Sequence, residues 1–242
     1  MRRASMLVAV VAMLVVAFAG AASAAVISCT GGRCEGTPQS DGITGTDGRD
    51  RIFALNGFDG VFAGAGRDEL NGGNLGDRLI GEDGSDTYFG GSGADFFTEI
   101  PEECCEEPPY TGNDVMDGGD GSDFMDAGEG DDVLRGRAGD ERGNAGGSAD
   151  PAMFGDFGDD KLYGGPGDDG MIGGEGADEH YGGPDSDFID AVDFESLDTP
   201  DLVNGGDGYD VCLVNENDAP VVNCERIETE PNPTPVTAVG AR

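Results

Sequence analysis

The sequence predicts an all-β fold, a solenoid of very short strands, on three observations. First, an aspartate returns every nine residues. Asp41, Asp50, Asp59, Asp68, Asp77, Asp86 and Asp95 stand in unbroken register, Asp114, Asp123 and Asp132 resume it, and Asp160, Asp169, Asp178 and Asp187 carry it on. Second, a glycine usually precedes each aspartate by two residues and an apolar residue follows by two. The unit reads Gly-Gly-x-Gly-x-Asp-x-apolar-x, as in Gly90-Gly91-Ser92-Gly93-Ala94-Asp95-Phe96-Phe97-Thr98. Third, 45 glycines, 12 prolines and no tryptophan in 242 residues argue against an ordinary packed globule. A unit this short cannot bury its own apolar face, so neighbours must stack to make a core.

Residues 1–24 read as a secretory signal peptide rather than as fold. Arg2 and Arg3 make a basic start, residues 6–19 an apolar stretch, and Ala22-Ser23-Ala24 a small-x-small cleavage site. A rival reading takes Val26-Ile27-Ser28-Cys29 as a lipoprotein box with Cys29 as a lipid anchor. Lipidation there would leave five cysteines, an odd number for an oxidising compartment. Apart from such an anchor, no membrane contact is expected.

Residues 25–35 form an N-terminal cap. Repeats follow over 36–98, an acidic insertion over 99–108, and further repeats over 109–190 with a degenerate region near 136–154. An interruption occupies 191–204, a last repeat with Asp210 and a C-terminal cap occupy 205–227, and 228–242 form a flexible tail. Of 17 units laid out from Gly36, the sixth position is Asp in 16 and the fourth is Gly in 13; acidic residues are about a fifth of the chain, so chance phasing is negligible. The departures are local. Glu141 replaces the aspartate of its unit, Pro151 and Ala152 disturb the next, and Phe154 is an extra residue that shifts the register. Gln39, Leu75, Ser148 and Asp185 replace fourth-position glycines.

The eighth position carries Ile43, Ile52, Val61, Leu70, Leu79, Tyr88 and Phe97, then Met116, Met125, Leu134, Leu162, Met171 and Ile189. Strand alternation points these residues into a thin core and their flanking neighbours outward. Glycines before the aspartate let the chain turn sharply with its carbonyls inward. A hard cation such as calcium takes roughly six to eight oxygens from carboxylates and carbonyls, and the turn offers both; magnesium demands a tighter octahedron. Thiolate-seeking metals find no ligand set.

Charge points the same way. Fifty acidic against 13 basic residues give −37, and removing the two leader arginines gives −39. The sign excludes nucleic acid as a partner, and self-repulsion calls for cations. Disorder is the rival reading of such a composition, but it requires no phased apolar residue. Six cysteines in a secreted chain suggest disulfides. The expected local pairs, Cys29–Cys34 and Cys212–Cys224, bracket the array where a solenoid needs caps. Six cysteines permit about 15 pairings, and the sequence alone does not choose among them. Cys104 and Cys105 stay unassigned between a vicinal disulfide, an intermolecular bond and free thiols.

An enzyme is not expected. The lone histidine, His180, falls at a core-facing eighth position. Neither a His-Glu-x-x-His nor a Gly-x-Ser-x-Gly motif occurs. Carboxylate pairs such as Asp131-Asp132 and Asp168-Asp169 fall at turn positions, where metal ligation or solvation is the simpler role.

On these residues the units resemble the haemolysin-type calcium-binding repeats of the RTX family. The resemblance implies a parallel β-roll with two nonapeptides per coil and calcium between turns 18 residues apart. Asp41, Asp59, Asp77 and Asp95 would line one edge, and Asp50, Asp68 and Asp86 the other. It implies about ten calcium ions, held by these aspartates and by Asp114, Asp123, Asp132, Asp160, Asp169, Asp178, Asp187 and Asp210. The function implied is a secreted calcium-binding protein that folds on calcium, with a structural or surface-interaction role toward a cell-surface or matrix partner. The alternative is a toxin-like or enzyme-associated module acting beside a separate catalytic polypeptide.

Overall fold

The computed structural model describes residues 24–99, 111–139, 152–193, 199–218 and 220–230. Within these the chain is all β, with no helix. Short strands alternate between two parallel sheets. One has eleven strands, beginning Ala25–Ser28, Asp41–Thr44, Gly60–Phe62 and ending Arg226–Glu230. The other has ten, beginning Gly32–Glu35, Asp50–Asn56, Glu69–Asn74 and ending Val221–Val222. Each strand pairs with those before and after it in its own sheet, so two nonapeptides complete one coil. In the first sheet Ile43 pairs with Val61, Val61 with Leu79 and Leu79 with Phe97. In the second Ile52 pairs with Leu70 and Leu70 with Tyr88. This is the β-roll expected above.

The interior follows from period-2 alternation through positions six, eight and one. The aspartate faces inward at the sheet edge and the apolar residue fills the middle. A glycine or alanine, such as Ala54, Ala63 or Ala127, leaves room for the opposite strand. Each sheet thus contributes one large side chain per coil to a single file. In the first sheet Met125, Met153, Met171, Ile189 and Cys212 continue it, each stacked on the last. In the second, Met116, Leu134, Leu162, His180 and Val203 do so. Outward positions carry ion pairs between coils, as in Arg51–Glu69, and aromatic stacks such as Phe96 on Phe124, with ring centroids 4.7 Å apart.

Both expected disulfides are present. Cys29–Cys34 closes one end with Cα atoms 5.7 Å apart, and Cys212–Cys224 the other at 6.1 Å. The strands refine several boundaries. Residues 25–35 form the terminal coil of the roll, with Ile27 stacked on Ile43 and Cys34 on Ile52. The interruption at 191–204 is not one at its far end. Leu202–Asp207 is a strand, and Val203 stacks on His180. The tail begins later than 228, since Arg226–Glu230 pairs along Val211–Asn215. In the degenerate region Met153, not Ala152, enters the file between Met125 and Met171, because an alanine there would leave a void in a close-packed column. The expected signal peptide up to residue 23, Cys104, Cys105, Glu141, Asp150, Pro151, residues 194–198 and 231–242 lie outside the described residues.

Glycine at positions two and four serves backbone conformation, and the exceptions mark strain. Leu55, Glu82, Arg137 and Asp156 at position two, and Leu75 and Asp185 at position four, all have positive φ. Leu75, at φ 74 and half exposed, gains little from burial and carries a left-handed penalty of about 1–2 kcal/mol. Leu75→Gly should therefore stabilise the folded protein by about 0.5–1 kcal/mol, net of the added freedom of the unfolded chain. Thermal melts at saturating calcium test this; a lower midpoint for the glycine variant would contradict it.

Candidate metal centre

Every predicted ligand is buried. Asp41, Asp50, Asp59, Asp68, Asp77, Asp86, Asp95, Asp114, Asp123, Asp132, Asp160, Asp169, Asp178, Asp187 and Asp210 are at most 3 % exposed, although each is a carboxylate. They form two ladders, one on each edge of the roll, and one hydrogen bond builds every rung. The backbone N–H of an aspartate donates to Oδ1 of the aspartate one coil later. On one edge Asp41 donates to Asp59 at 2.7 Å, Asp59 to Asp77 at 2.8 Å, Asp77 to Asp95 at 2.7 Å and Asp95 to Asp123 at 2.8 Å. Beyond the degenerate region, Asp169 donates to Asp187 and Asp187 to Asp210, both at 2.9 Å.

The other edge runs through Asp50, Asp68, Asp86, Asp114, Asp132, Asp160 and Asp178 at 2.6–2.8 Å. The ladder then takes in Asp201, to which Asp178 donates at 2.8 Å. Asp201 is fully buried, and the sequence reading missed it by placing it in an interruption. Its signal was present: it stands nine residues before Asp210, with Val203 two residues on. The ladders end on Asp218 and Glu225, which accept from Asp201 and Asp210.

The second carboxylate oxygen is what makes these ladders a candidate metal centre as well as a hydrogen-bond motif. Oδ2 of Asp59, Asp68, Asp77, Asp86, Asp95, Asp114, Asp123, Asp132, Asp160, Asp178, Asp187, Asp201 and Asp210 is buried and accepts no hydrogen bond. Leaving such an anionic oxygen unpaired is costly unless a cation or proton joins it. In units that begin with glycine, Oδ2 of Asp77, Asp95, Asp123, Asp160, Asp187 and Asp210 faces that glycine and a backbone carbonyl from the next coil. A Cβ built on Gly72 would lie 2.5 Å from Asp77 Oδ2 and 2.9 Å from the Gly90 carbonyl oxygen. Carboxylate and carbonyl oxygens therefore converge where the glycine omits a side chain, the donor set that suits calcium.

The first two turns differ. Asp41 Oδ2 accepts the Thr37 N–H, while Asp50 Oδ2 accepts the Thr46 N–H at 2.7 Å and the Thr46 hydroxyl at 2.8 Å. Threonine there supplies by hydrogen bonding what the other turns leave open.

Burial raises the carboxyl pKa values of the following ladder aspartates, partly offset by the rung hydrogen bond. Asp68, Asp95, Asp114 and Asp178 are pushed to about 6, and Asp59, Asp123, Asp132 and Asp187 to about 7. Asp77, Asp86 and Asp160 reach about 8, and Asp201 about 9. His180 sits fully buried in the core file. Burial pulls its pKa down to about 4, so the ring is neutral near pH 7 and packs as an apolar residue would.

Residues 44–79, 76–97, 110–140 and 152–179 match the family described as RTX calcium-binding nonapeptide repeat, in four copies. Comparison with curated proteins gives no match.

Proposed function

We infer that this chain, a protein of RTX calcium-binding nonapeptide repeats, is a secreted structural protein that folds on binding calcium and offers the outer faces of its roll to a cell-surface or matrix partner. The observation that carries the reading is a pair of buried carboxylate ladders in which the Oδ2 atoms named above accept no hydrogen bond. Asp59, Asp68, Asp77, Asp86, Asp95, Asp114, Asp123, Asp132, Asp160, Asp178, Asp187, Asp201 and Asp210 would hold the ions, together with turn carbonyls; Asp169 joins them by its place in the ladder. When bound, calcium supplies the charge neutralisation that packing alone does not. Disulfides at both ends and the signal-like leader support export to an oxidising, calcium-rich compartment.

The ion count follows the rungs rather than the repeat blocks. Counting only within blocks gives about ten. Rungs across the breaks, such as Asp86–Asp114, Asp95–Asp123, Asp132–Asp160 and Asp178–Asp201, raise that number.

Equilibrium dialysis with calcium tests the reading directly. Asp68 belongs to two rungs, so Asp68→Ala should lose one or two ions per chain and raise the calcium midpoint of folding. Asp41→Ala should cost less, because its Oδ2 is already satisfied by Thr37. Equal losses from both variants would show that the open Oδ2 does not mark the sites, and a wild-type chain that bound no calcium would end the reading.

A further inference from the structure

Glu99 stands where the repeat places a glycine or alanine. It follows the strand Phe96–Thr98 at the first position of a unit, the position of Gly72, Gly81 and Gly90 in earlier units. Its side chain is only 2 % exposed. Its Oε1 accepts the hydroxyl of Tyr88, itself fully buried in the core file. Its Oε2 is buried and has no hydrogen-bond partner. Asp86 and Asp114, successive rungs of one ladder, lie against it, and one carboxylate oxygen from each of the three falls within 4.8 Å of the other two. Asp86 Oδ2 and Asp114 Oδ2 are likewise buried and accept no hydrogen bond. The tyrosine fits because residue 81 is glycine, since a Cβ there would overlap both the Tyr88 hydroxyl and Asp86 Oδ2.

We propose that Asp86, Glu99 and Asp114 form a three-carboxylate site for a hard divalent cation, on the inner side of the roll directly after the strand Phe96–Thr98, and that this is the tightest cation site of the chain. The proposal rests on the reading that the turns bind calcium and adds to it. An ordinary rung brings two aspartates together, whereas this one brings a third carboxylate from a position that elsewhere has no functional group. Affinity of oxygen sites rises with ligand charge and rigidity. Tyr88 is the positioning residue, because its hydroxyl holds the Glu99 carboxylate from the far side of the core. Three buried anions with unpaired oxygens are otherwise hard to accommodate in one turn.

Terbium is the probe, added to the calcium-saturated full chain so that the roll stays folded throughout. A trivalent ion displaces calcium first where carboxylates are most numerous, and with no tryptophan in the chain its emission is sensitised by tyrosine. The wild type should show sensitised emission within the first equivalent. Tyr88→Phe should lose that early emission, and Glu99→Gln, which keeps size and an acceptor for Tyr88, should require about tenfold more terbium and bind one calcium fewer per chain. Early emission that survives Tyr88→Phe, or a Glu99→Gln titration superimposable on wild type, would overturn the site while leaving the other turns intact. If Glu99→Gln fails to fold in saturating calcium, the Tyr88→Phe arm decides alone. A wild-type chain that binds no calcium overturns both the site and the reading beneath it.

Discussion

Chelation of calcium at neutral pH is expected to abolish most of the β signal, and acidification of the chelated protein toward pH 4 to restore part of it. The core is one file of side chains per sheet, and the carboxylates of each ladder sit buried one coil apart. Without cations, hydrophobic burial on that scale must oppose chain entropy and the repulsion of like charges. The sign of the pH effect follows from the raised pKa values. Asp77, Asp86 and Asp160, near 8 in the folded chain against 3.8 as the ordinary value, hold protons that the unfolded chain releases. That stability is fully present below about pH 4 and disappears as pH climbs through roughly 6 to 9, the span of the ladder values. Calcium replaces those protons, so binding near neutrality should release acid. Circular dichroism across pH in chelator, with proton release followed on calcium addition, measures both. A chelated protein that kept its full β signal at neutral pH would show that disulfides and core suffice. Because binding to the folded state adds RT ln(1 + [L]/Kd) at each linked site, the return of signal with calcium should be steep.

Gly121→Ala should be almost as damaging, at about 3–4 kcal/mol, from the combined conformational and packing penalties. Gly121 has φ 146, and its Cβ would overlap the carbonyl oxygen of Gly93 on the preceding coil. Backbone, not a flexible side chain, stands in the way, so relief requires the coils to part and the Asp95–Asp123 rung beside them to lengthen. Gly60→Ala is the control. It lies at an outward seventh position with nothing within 4 Å of its Cβ, and should leave the calcium midpoint unchanged. Calcium-dependent folding curves distinguish the two, and equal midpoints would remove the close approach of coils as the reason for the fourth-position glycine.

Much of this was legible without coordinates because the repeat encodes local rules. A nine-residue period with an apolar residue two after each aspartate dictates which side chains face inward. Two units per coil then dictate that Asp59 meets Asp41 and Asp77, as the rungs show. Cys212 at an eighth position and Cys224 beyond it foretold a staple. Legibility failed where the motif lost its glycines. Asp201 and Val203 sit in sequence without the turn signature, yet the ladder and the core file run through them. Residues 25–35 contain no aspartate at the sixth position, yet they form the first coil. Pairing with an existing strand edge supplies in these places what the local pattern lacks.

The sequence by itself determined the period, the direction of the side chains within regular units and the ladder aspartates of those units, because each depends only on neighbours within a unit or two. Which units meet across a break was decided by tertiary structure alone. Asp86 donates to Asp114 over 28 residues, and Asp132 to Asp160 over another 28. The ladder passes both breaks because closing a longer loop costs little more than closing a short one. The same applies to the choice of Met153 over Ala152, which packing against Met125 and Met171 settles. It applies again to Glu99, whose carboxylate is a surface charge in the linear sequence and an interior one only once Tyr88, Asp86 and Asp114 have been brought around it.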